Sequence, residues 1–574
     1  MDNQRLFIWA IFVFLGWITY QTWVEQYGPA PAEPVAEQQG ELAALPGDTA
    51  ADEELPAISD TPVEPGLTDA LPVTPGVTTE TAAQTSAPVV RVTTDVFEIE
   101  ISTVGGTLQK ATLSGYPVAK DRPDELVKLL DTAGRGFSLI ESGVRAAGGA
   151  AEATHLETFD AAQTSFELGS NDELVVPLTW TDESGLTVDK RYTFRRGSYA
   201  VLLEQVVTNG SDAEWRGAEY VRIKRHSAEM ERSMFNVDSY SFDGPIVYDG
   251  EKSQKLKRDD LLDDGRYEYN SQQGWFGEIQ HHFLRAAVPA PGVDFKYDVA
   301  VTGDVATSSA IRRSLKSIAP GASETFTTTL FVGPKLQDQL EAIDKSLKLT
   351  VDYGWLTIIS QPLFWLLSLV YGWVGNWGVA IIFVTFLIKL AFYKLTESSG
   401  RSMAKMRNLQ PRMKALQDRY KDDKQALSQA MMDLYKREKV NPAAGCLPIL
   451  IQMPFFLAFY WVLLESVEMR QAPFALWITD LSTRDPYFIL PLIMGVAMFA
   501  QQKLNPAPTD PVQAKVMQIM PIMFTVFFAF FPSGLVLYWV TNTLLSIAQQ
   551  WKVNKVVEAE AKAAKAGKAG KKGG

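Results

Sequence analysis

Cysteine and histidine are scarce in this sequence, and their scarcity excludes several kinds of chemistry. Cys446 is the only cysteine, so no intramolecular disulfide can form. The four histidines, His155, His226, His281 and His282, show no zinc-ligand spacing. The sequence also lacks a G-x-x-x-x-G-K-[ST] phosphate loop. We therefore expect no metal site, no cofactor and no catalytic residues, which predicts a protein that is not an enzyme.

Positive charge is missing from the first part of the chain. No Lys or Arg lies between Arg5 and Arg91, whereas both residue types crowd positions 394–439 and the tail after Trp551. The formal net charge of −13 over 574 residues is therefore an average of unlike regions. Because Lys and Arg are enriched in the cytoplasmic loops of membrane proteins, this asymmetry carries information about sidedness.

The N-terminal region predicts a membrane anchor followed by a tether. Residues 6–20 are apolar and follow Arg5, which fits either a cleaved signal peptide or an uncleaved anchor. We favour an anchor over residues 1–27 with a cytoplasmic N-terminus, because Trp23 and Val24 lengthen the apolar stretch toward a tilted span. Residues 28–88 are acidic and rich in Pro and Ala, a composition that predicts disorder.

Period-two patterning marks a β domain over residues 89–350. Segment 97–101 alternates apolar and polar side chains, and segment 201–207 is rich in the β-branched residue Val. Asn209-Gly210 and Asp249-Gly250 mark turns. The pattern predicts a large all-β sandwich, and the uncharged-to-acidic segment in front of it places the domain on the exported side. Such a domain either binds sugar or peptide in a cleft or is a folded module without chemistry of its own.

Lys389 is the one ionisable residue in the apolar stretches that follow the β domain. It lies within the run 379–393, and an ionised side chain inside a bilayer costs about 3 kcal/mol on insertion scales. The later apolar stretches, 447–464, 487–500, 519–531 and 535–547, contain no Asp, Glu, Lys, Arg or His. This cation without a counter-ion indicates a site for a group that arrives from outside. The alternative is a lysine that snorkels to the cytoplasmic headgroups.

Residues 355–374 are long enough to span a membrane but carry a polar stripe. Its members recur at steps of three and four residues and are Thr357, Ser360, Gln361, Ser368, Tyr371 and Gly372. We predict an interfacial amphipathic helix over residues 351–375. If this helix crossed instead, the basic segment 394–439 would lie on the exported side, against the positive-inside rule.

The basic segment itself predicts a helical hairpin over residues 397–440. Apolar side chains step by three and four residues before and after Asp422-Asp423, which marks the break between two helices. Its outer face can contact RNA, lipid phosphates or an acidic partner, or it can be a solvated face that only sets orientation. The candidate contact residues are Arg401, Lys405, Arg407, Arg412 and Lys414.

The whole pattern predicts an α-helical polytopic membrane protein. Five spans lie within residues 376–552, which also contain the cytoplasmic hairpin, and the N-terminal anchor adds another span. Residues 553–574 form a basic cytoplasmic tail, and the large exported domain is an all-β sandwich.

Four segments resemble the YidC-type membrane protein insertases of the Oxa-type superfamily. They are Asn441-Pro-Ala-Ala-Gly-Cys-Leu-Pro-Ile-Leu-Ile-Gln-Met-Pro-Phe-Phe456, Ser402-Met-Ala-Lys-Met-Arg-Asn-Leu-Gln-Pro411, Arg470-Gln-Ala-Pro-Phe-Ala-Leu-Trp-Ile478 and Phe531-Pro-Ser-Gly-Leu-Val-Leu-Tyr538. The resemblance covers residues 352–552, and the anchor, tether and β domain in front fit the Gram-negative form. It implies an insertase and chaperone of the inner membrane that receives nascent proteins in a hydrophilic groove.

In that family an arginine usually occupies the position of Lys389. Lysine keeps the positive charge but lacks the planar fork that grips a carboxylate with two hydrogen bonds. Polar or aromatic side chains on the same or neighbouring spans complete the expected groove. The candidate groove residues are Lys389, Thr385, Gln452, Ser533, Tyr538, Trp539 and Asn542.

The resemblance also implies partners. They are nascent membrane proteins, the ribosome–nascent chain complex, the Sec translocon, the signal-recognition-particle receptor and the phospholipid bilayer, with no specific nucleic-acid sequence. Burial of the substrate's apolar span, at about 25 cal/mol per Å², supplies the driving force, so no nucleotide is needed. The alternative function is an ion-coupled secondary transporter that uses Lys389.

Overall fold

The computed structural model describes residues 88–227, 241–420, 423–438, 440, 447–505 and 511–570. The predicted anchor, all of the predicted tether except residue 88, and residues 441–446 of the family-like segment lie outside these described residues. Two regions follow one another along the described chain: strands up to residue 334 and helices from residue 337 onward, apart from one short helix between two strands.

The strands form two sheets that face each other. In chain order they are β1 Val89–Thr93, β2 Phe97–Ser102, β3 Leu108–Ala119, β4 Arg122–Leu130, β5 Ser138–Ala146, β6 Ser165–Glu167, β7 Glu173–Thr181, β8 Leu186–Arg195, β9 Ala200–Asn209, β10 Trp215–His226, β11 Asp243–Tyr248, β12 Ser253–Lys255, β13 Arg266–Ser271, β14 Trp275–Gln280, β15 Phe283–Pro289, β16 Phe295–Thr302, β17 Val305–Arg312, β18 Lys316–Ile318 and β19 Ser323–Pro334. One sheet runs β13-β16-β17-β10-β5-β3-β2-β1-β6, with β18 beside β10 and β4 beside β3; the other runs β12-β11-β14-β15-β19-β9-β8-β7.

Alternating burial explains why these segments form a sandwich. Strand β9 alternates half-buried and buried residues along its whole length, as expected where one face covers a core. Large side chains from both sheets are buried between them, including Tyr192 and Trp275 from the eight-stranded sheet and Phe97 and Tyr297 from the other. The predicted β-sandwich is confirmed. Strands β5 and β10 differ from the simple pattern because both of their faces are largely buried.

Several charged side chains are buried inside the sandwich. Arg222 pairs with Glu141 at 2.5 Å, and Arg312 pairs with Glu219 at 2.8 Å. Lys190 is fully buried on β8 and donates to the backbone carbonyl of Gly105. Burial lowers the pKa of Lys190 to about 7, and the nearby carboxylate of Glu141 opposes this shift.

The helices follow the sandwich, apart from the short α1 within it. They are α1 Arg258–Asp264, α2 Gln337–Ile343, α3 Thr357–Val374, α4 Trp377–Ala391, α5 Tyr393–Arg419, α6 Lys424–Arg437, α7 Leu447–Glu465, α8 Ile489–Leu504, α9 Pro511–Phe528 and α10 Ser533–Gly570. The five apolar stretches predicted as spans fall in α4, α7, α8, α9 and the first part of α10. Residues 553–570, predicted as a separate tail, continue α10, because their Ala, Lys and Glu residues favour helix.

Length and composition alone single out a different helix. Among the described residues, α3 is the one helix that is both long and apolar enough to cross a membrane by itself. Helices α4 and α5 pass the same test only as a pair, and they are bent by 69° at their junction. The apolar helical segments in α7, α8 and α9 are shorter, 10–17 residues. Length therefore does not distinguish a crossing α3 from one that lies at the surface.

The polar stripe predicted for α3 is not wholly exposed. Ser360 is buried and donates from Oγ to the carbonyl oxygen of Ala458 on α7, at 3.2 Å. Ser360, one member of the polar stripe, therefore faces α7, because the ridge that includes it packs inward. The buried ridge consists of Ser360, Leu363, Leu367 and Val370. Ile358, Trp365 and Trp373 project outward instead.

Large apolar side chains cover the outside of the helical region. Water-exposed patches of this extent are rare on soluble monomers and indicate a lipid or protein environment. The exposed residues on α4, α8 and α9 include Val379, Phe383, Phe386, Leu390, Leu492, Val496, Ile519, Ile522, Val526 and Phe527. The described part of the sandwich exposes few comparable side chains. The helices are thus built to be embedded.

Helices α5 and α6 pack against each other. Leu409 and Met413 of α5 form a small cluster with Leu434 of α6 and Val440. Asp423 begins α6 as its N-cap, accepting hydrogen bonds from the backbone of Gln425 and Ala426. Helix α6 therefore begins directly after Asp423.

Candidate functional site around Lys389

Helix α4 carries Lys389 in its last turn. The helix begins at the capping residue Asn376, whose side chain accepts from the backbone N–H of Val379, and it ends at Ala391. The 69° bend into α5 follows at Phe392. A cation in the last turn lies near the unpaired carbonyl groups and the negative end of the helix dipole. The chain thus places Lys389 where backbone electrostatics favour a positive charge.

The ammonium of Lys389 is buried against α10. Its side chain is 9% exposed, and Nζ donates to Ser546 Oγ at 2.7 Å. Ser546 Oγ in turn donates to the carbonyl oxygen of Asn542, at 2.7 Å. The sequence predicts that Lys389 lacks a counter-ion, and the partner that the structure shows is a neutral hydroxyl. Ser546 is not among the predicted groove residues, since its only signal in the sequence is a polar side chain one turn after Asn542.

Two other predicted groove residues lie along the same contact between α4 and α10. Thr385 is buried one turn before Lys389, and its hydroxyl donates to the carbonyl oxygen of Ile381 at 2.6 Å. Asn542 is half-buried and supplies the carbonyl that orients Ser546. Both residues therefore neighbour the cation, but the Thr385 hydroxyl is already engaged within its own helix.

Gln452 reaches this region from α7. It is half-buried and lies three residues before Phe455, whose ring packs edge-on against Phe392 with centroids 5.0 Å apart. Because Phe392 follows Lys389 by three residues, the Gln452 end of α7 lies beside the end of α4. This placement keeps Gln452 as a candidate for the wall opposite α10.

Tyr538 and Trp539 form packed aromatic contacts instead of an open polar wall. The Tyr538 ring stacks on Phe459 with centroids 4.5 Å apart, and Trp539 meets Phe456 edge-on at 4.7 Å. Tyr538 is buried. These two side chains therefore form an aromatic cluster that packs α7 against α10.

Ser533 lies away from the cation. It is fully buried at the start of α10, where Oγ donates to the carbonyl oxygen of Thr483 at 2.7 Å. Thirteen residues separate it from Ser546, which is about 20 Å along the helix. The structure does not bring Ser533 together with Lys389, and its place in the groove stays a prediction. Its hydroxyl instead fixes the connection between α7 and α8.

Hydrogen bonds from polar residues of α10 stabilise the bend after Lys389. Gln549 donates to Thr396 Oγ1 at 2.7 Å and to the carbonyl oxygen of Tyr393 at 3.2 Å. One residue later, Gln550 donates to the carbonyl oxygen of Gly400 at 3.4 Å. These contacts hold the start of α5 against α10 and thereby fix the direction of the bend.

The five predicted recruitment residues differ in their availability. Arg401 pairs with Glu397 at 3.1 Å and with Glu560 of α10 at 3.0 Å. Arg412 is exposed but pairs with Glu438 at 2.6 Å. The remaining three, Lys405, Arg407 and Lys414, have exposed side chains on α5. Part of the basic face therefore stabilises the helices themselves.

The sandwich is docked on the end of α7 by polar contacts. Lys335 pairs with Glu465 at 3.3 Å, and both side chains are buried. Burial lowers the pKa of Lys335, and the Glu465 carboxylate opposes that shift. His282 Nε2 lies 3.0 Å from the carbonyl oxygen of Leu464. Burial also lowers the pKa of His282, which keeps the ring neutral at this junction.

The described helices expose apolar side chains and bury Lys389, and a β-sandwich is fixed to their end. This arrangement defines a membrane protein with a large domain outside the bilayer. Comparison with known proteins makes this class specific. Residues 89–366 match the family model described as YidC periplasmic domain, and residues 369–561 match the model described as 60Kd inner membrane protein. The chain belongs to the YidC family of membrane protein insertases.

Relatives match along nearly the whole chain. A membrane protein insertase YidC of Thioalkalivibrio sulfidiphilus is 46% identical, over 98% of this chain and 100% of the relative. One from Nitrosococcus oceani is 44% identical, again over 98% and 100%. A solved structure titled as an active YidC insertase with the first transmembrane domain resolved covers 81% of this chain and 92% of its own, at 20% identity and a TM-score of 0.36. These comparisons give no support to the transporter alternative.

Proposed function

We propose that this chain inserts nascent proteins into the bacterial inner membrane and helps them fold, with Lys389 as the charged end of a substrate groove. The supporting observation is the burial of Lys389 against α10 with a hydroxyl, Ser546 Oγ, as its hydrogen-bond partner. A hydroxyl leaves the positive charge uncompensated, so a carboxylate from outside would form a stronger, charge-assisted bond.

The groove lies between α4, α10 and the Gln452 end of α7. An acidic residue in the polar flank of a substrate would replace Ser546 at Lys389 Nζ. Two unit charges 4 Å apart attract by about 1 kcal/mol in water and about 4 kcal/mol at an effective dielectric of 20, so this contact is moderate and reversible. The aromatic cluster of Tyr538 and Trp539 would then have to yield as the flank moves toward the exported side.

Burial of the substrate's own apolar helix supplies the free energy. At about 25 cal/mol per Å², transfer of an apolar span from water into lipid exceeds the attraction to a single lysine many times over. The lysine therefore lowers the barrier for the polar flank, while the bilayer retains the helix. This division of roles requires no catalytic residue, nucleotide or other cofactor.

The proposed topology has five C-terminal spans. They are α4, α7, α8, α9 and the first part of α10, with α3 at the exported membrane surface and the anchor at residues 1–27 as a further span. The proposal keeps the tether at 28–88, the β domain at 89–350, the interfacial segment at 351–375, the core at 376–552 and the basic tail at 553–574. Helices α5 and α6, the tail and both termini are cytoplasmic in this arrangement, as the positive-inside rule requires.

The cytoplasmic hairpin would serve recruitment. Lys405, Arg407 and Lys414 expose positive charge, while Arg401 and Arg412 hold the helices in place through their acidic partners. Such a face suits the ribosome–nascent chain complex, the signal-recognition-particle receptor, the Sec translocon and anionic lipid headgroups.

Replacement of the resident insertase tests the function. In bacteria depleted of their own insertase, the full chain should restore insertion of a small inner-membrane substrate, measured by protease accessibility of its exported segment. A variant that deletes α4 through α10 serves as the negative control. Failure of the full chain to restore insertion, at an abundance equal to that of the native protein, would contradict the proposal.

A further inference from the structure

A cavity of about 760 Å³ lies where the sandwich meets the helices. Its β-domain walls are the turn between β3 and β4, with Lys120 and Asp121, and the turn between β14 and β15, with His281. Its opposite wall is the connection between α7 and α8, which includes Arg484. Pro532, just before α10, closes one end. Nothing in the groove described above uses this space.

Hydrogen bonds across the junction keep both walls in place. Arg470 Nη2 donates to the carbonyl oxygens of Pro117 at 2.8 Å and Val118 at 3.0 Å. Gln471 Nε2 also donates to Pro117, at 2.8 Å. In the opposite direction, Lys120 Nζ donates to the carbonyl oxygen of Thr479. Because each wall donates to the other, the cavity is a fixed part of the fold.

The cavity lies at the far end of the same helices that form the groove. Leu464 at the end of α7 and Pro532 before α10 both line it. Fourteen residues separate Pro532 from Ser546, a rise of about 21 Å along a helix. An extended polypeptide covers this distance with about seven residues. A flank that passes Lys389 by that length therefore reaches the cavity.

The charges in the cavity favour an acidic chain. Its lining carries three cations, Lys120, Arg470 and Arg484, and two carboxylates, Asp121 and Asp480. The Asp480 carboxylate already accepts from its own loop, including the backbone N–H of Gln471 at 3.0 Å. Arg484 is exposed and makes no side-chain hydrogen bond or ion pair with any residue that the structure describes. A free guanidinium binds carboxylates well, with two parallel hydrogen bonds.

We propose that this cavity is a vestibule that receives the acidic exported flank of a substrate after the flank has passed Lys389. The inference rests on the proposed insertase function and extends it to a second contact, with Arg484 as the cation at the vestibule. The β domain thereby becomes part of the substrate path, because Asp121 and His281 belong to two of its turns.

Photo-crosslinking of stalled nascent chains tests the path in the full-length protein. The crosslinking amino acid replaces Leu390 beside the groove, Asp121 in the vestibule, or Thr181 on the exposed edge strand β7 as a control. A substrate with an acidic flank of about twelve residues should crosslink from positions 390 and 121 but not from 181. A flank of three residues should crosslink from position 390 alone.

The outcomes separate the vestibule from the insertase function. Crosslinks from position 390 without any from position 121, at every flank length, would overturn the vestibule and leave the insertase function intact. Absence of crosslinks from both positions would overturn the function itself. Crosslinks from position 121 to lipid alone would show a headgroup site and also overturn the vestibule.

A charge variant tests the role of Arg484. With Arg484→Gln, the yield at position 121 for an acidic flank, relative to a neutral flank of equal length, should fall about fivefold, as expected for one exposed charge pair. The matched control is Arg313→Gln, which removes an exposed arginine elsewhere in the β domain and should leave the ratio unchanged. An unchanged ratio in Arg484→Gln would refute electrostatic recognition in the vestibule.

Discussion

Lys190 makes the stability of the protein depend on pH in a way that can be measured. Its ammonium is fully buried on β8, and Nζ donates to Gly105 O at 2.5 Å, Ser142 O at 2.7 Å and Ser142 Oγ at 3.0 Å. Burial lowers its pKa to about 7. In the unfolded chain the same amine titrates near pH 10.4.

The sign of the effect follows from the two pKa values. Between about pH 7 and pH 10.4 the unfolded chain binds more protons than the folded one, so the free energy of unfolding rises with pH. Over most of that window the slope is about 1.4 kcal/mol per pH unit. Below pH 7 the amine is protonated in both states, and the full penalty of about 5 kcal/mol for the buried charge is present.

Replacing Lys190 by Met should remove this slope. At pH 7 the substitution removes the cost of burying the charge, but it also removes three hydrogen bonds, each worth about 1 kcal/mol or more for a charged donor. The two effects largely cancel, so the free energy of unfolding at pH 7 changes little. From pH 7.5 to pH 9.5 the rise in the free energy of unfolding should be smaller than in the wild type by about 1.4 kcal/mol per unit.

The measurement is reversible unfolding of the full-length protein in detergent at several pH values. Hydrogen exchange of peptides from β8 and β9, followed by mass spectrometry, reports on the sandwich, because most of the 14 tryptophans lie outside it and would dominate a fluorescence signal. The control is Lys110→Met, since Lys110 is partly exposed and pairs with Glu100 at 3.0 Å. A Lys190→Met variant that keeps the wild-type slope would refute the reasoning.

Three further predictions concern topology, the hairpin and the β domain. In a Cys446→Ser background, Lys405→Cys should be labelled only from the cytoplasmic side and Ser323→Cys only from the exported side. The measurement uses a membrane-impermeant reagent on intact cells and on inverted vesicles. Labelling of Lys405→Cys from outside would contradict the five-span model. Charge reversal at the exposed Lys405, Arg407 and Lys414 should reduce cosedimentation with ribosome–nascent chain complexes several-fold at low salt and less at high salt, whereas equal loss at both would contradict an electrostatic contact. Deletion of residues 89–321 should leave insertion of substrates with short exported flanks largely intact by protease accessibility, and its abolition at equal insertase abundance would show that the core depends on the sandwich.

The sheets were predictable because each strand interacts with its surroundings through alternating faces. Strand β2 alternates apolar and polar residues in its sequence, and its burial alternates over the first five residues. Strands β5 and β10 are covered on both faces, so the ion pair between Glu141 and Arg222 looks in sequence like ordinary surface charge. The burial of Lys190 has the same origin. Which polar residues lie inside depends on how the two sheets face each other, and no local pattern encodes that.

The site was predictable only in part for a similar reason. Lys389 is conspicuous because an ionisable residue interrupts an apolar run, but its contact with Ser546 depends on how α4 crosses α10 and on the bend at Phe392. Ser533 and Tyr538 were chosen by residue type and by resemblance. Their burial, against Thr483 and Phe459 respectively, is set by packing between distant segments.

The central claim is that the positive charge of Lys389 recognises acidic flanks of substrates. The direct test compares insertion of two matched substrates, one with an acidic and one with a neutral exported tail, by protease accessibility in cells that contain wild type, Lys389→Arg or Lys389→Glu at equal abundance. The account predicts that the ratio of acidic-tail to neutral-tail insertion persists in Lys389→Arg and falls about fivefold or more in Lys389→Glu. The fivefold figure follows because the attraction between Lys389 and an acidic side chain is roughly 1 kcal/mol or more. Equal ratios for wild type and Lys389→Glu would contradict it.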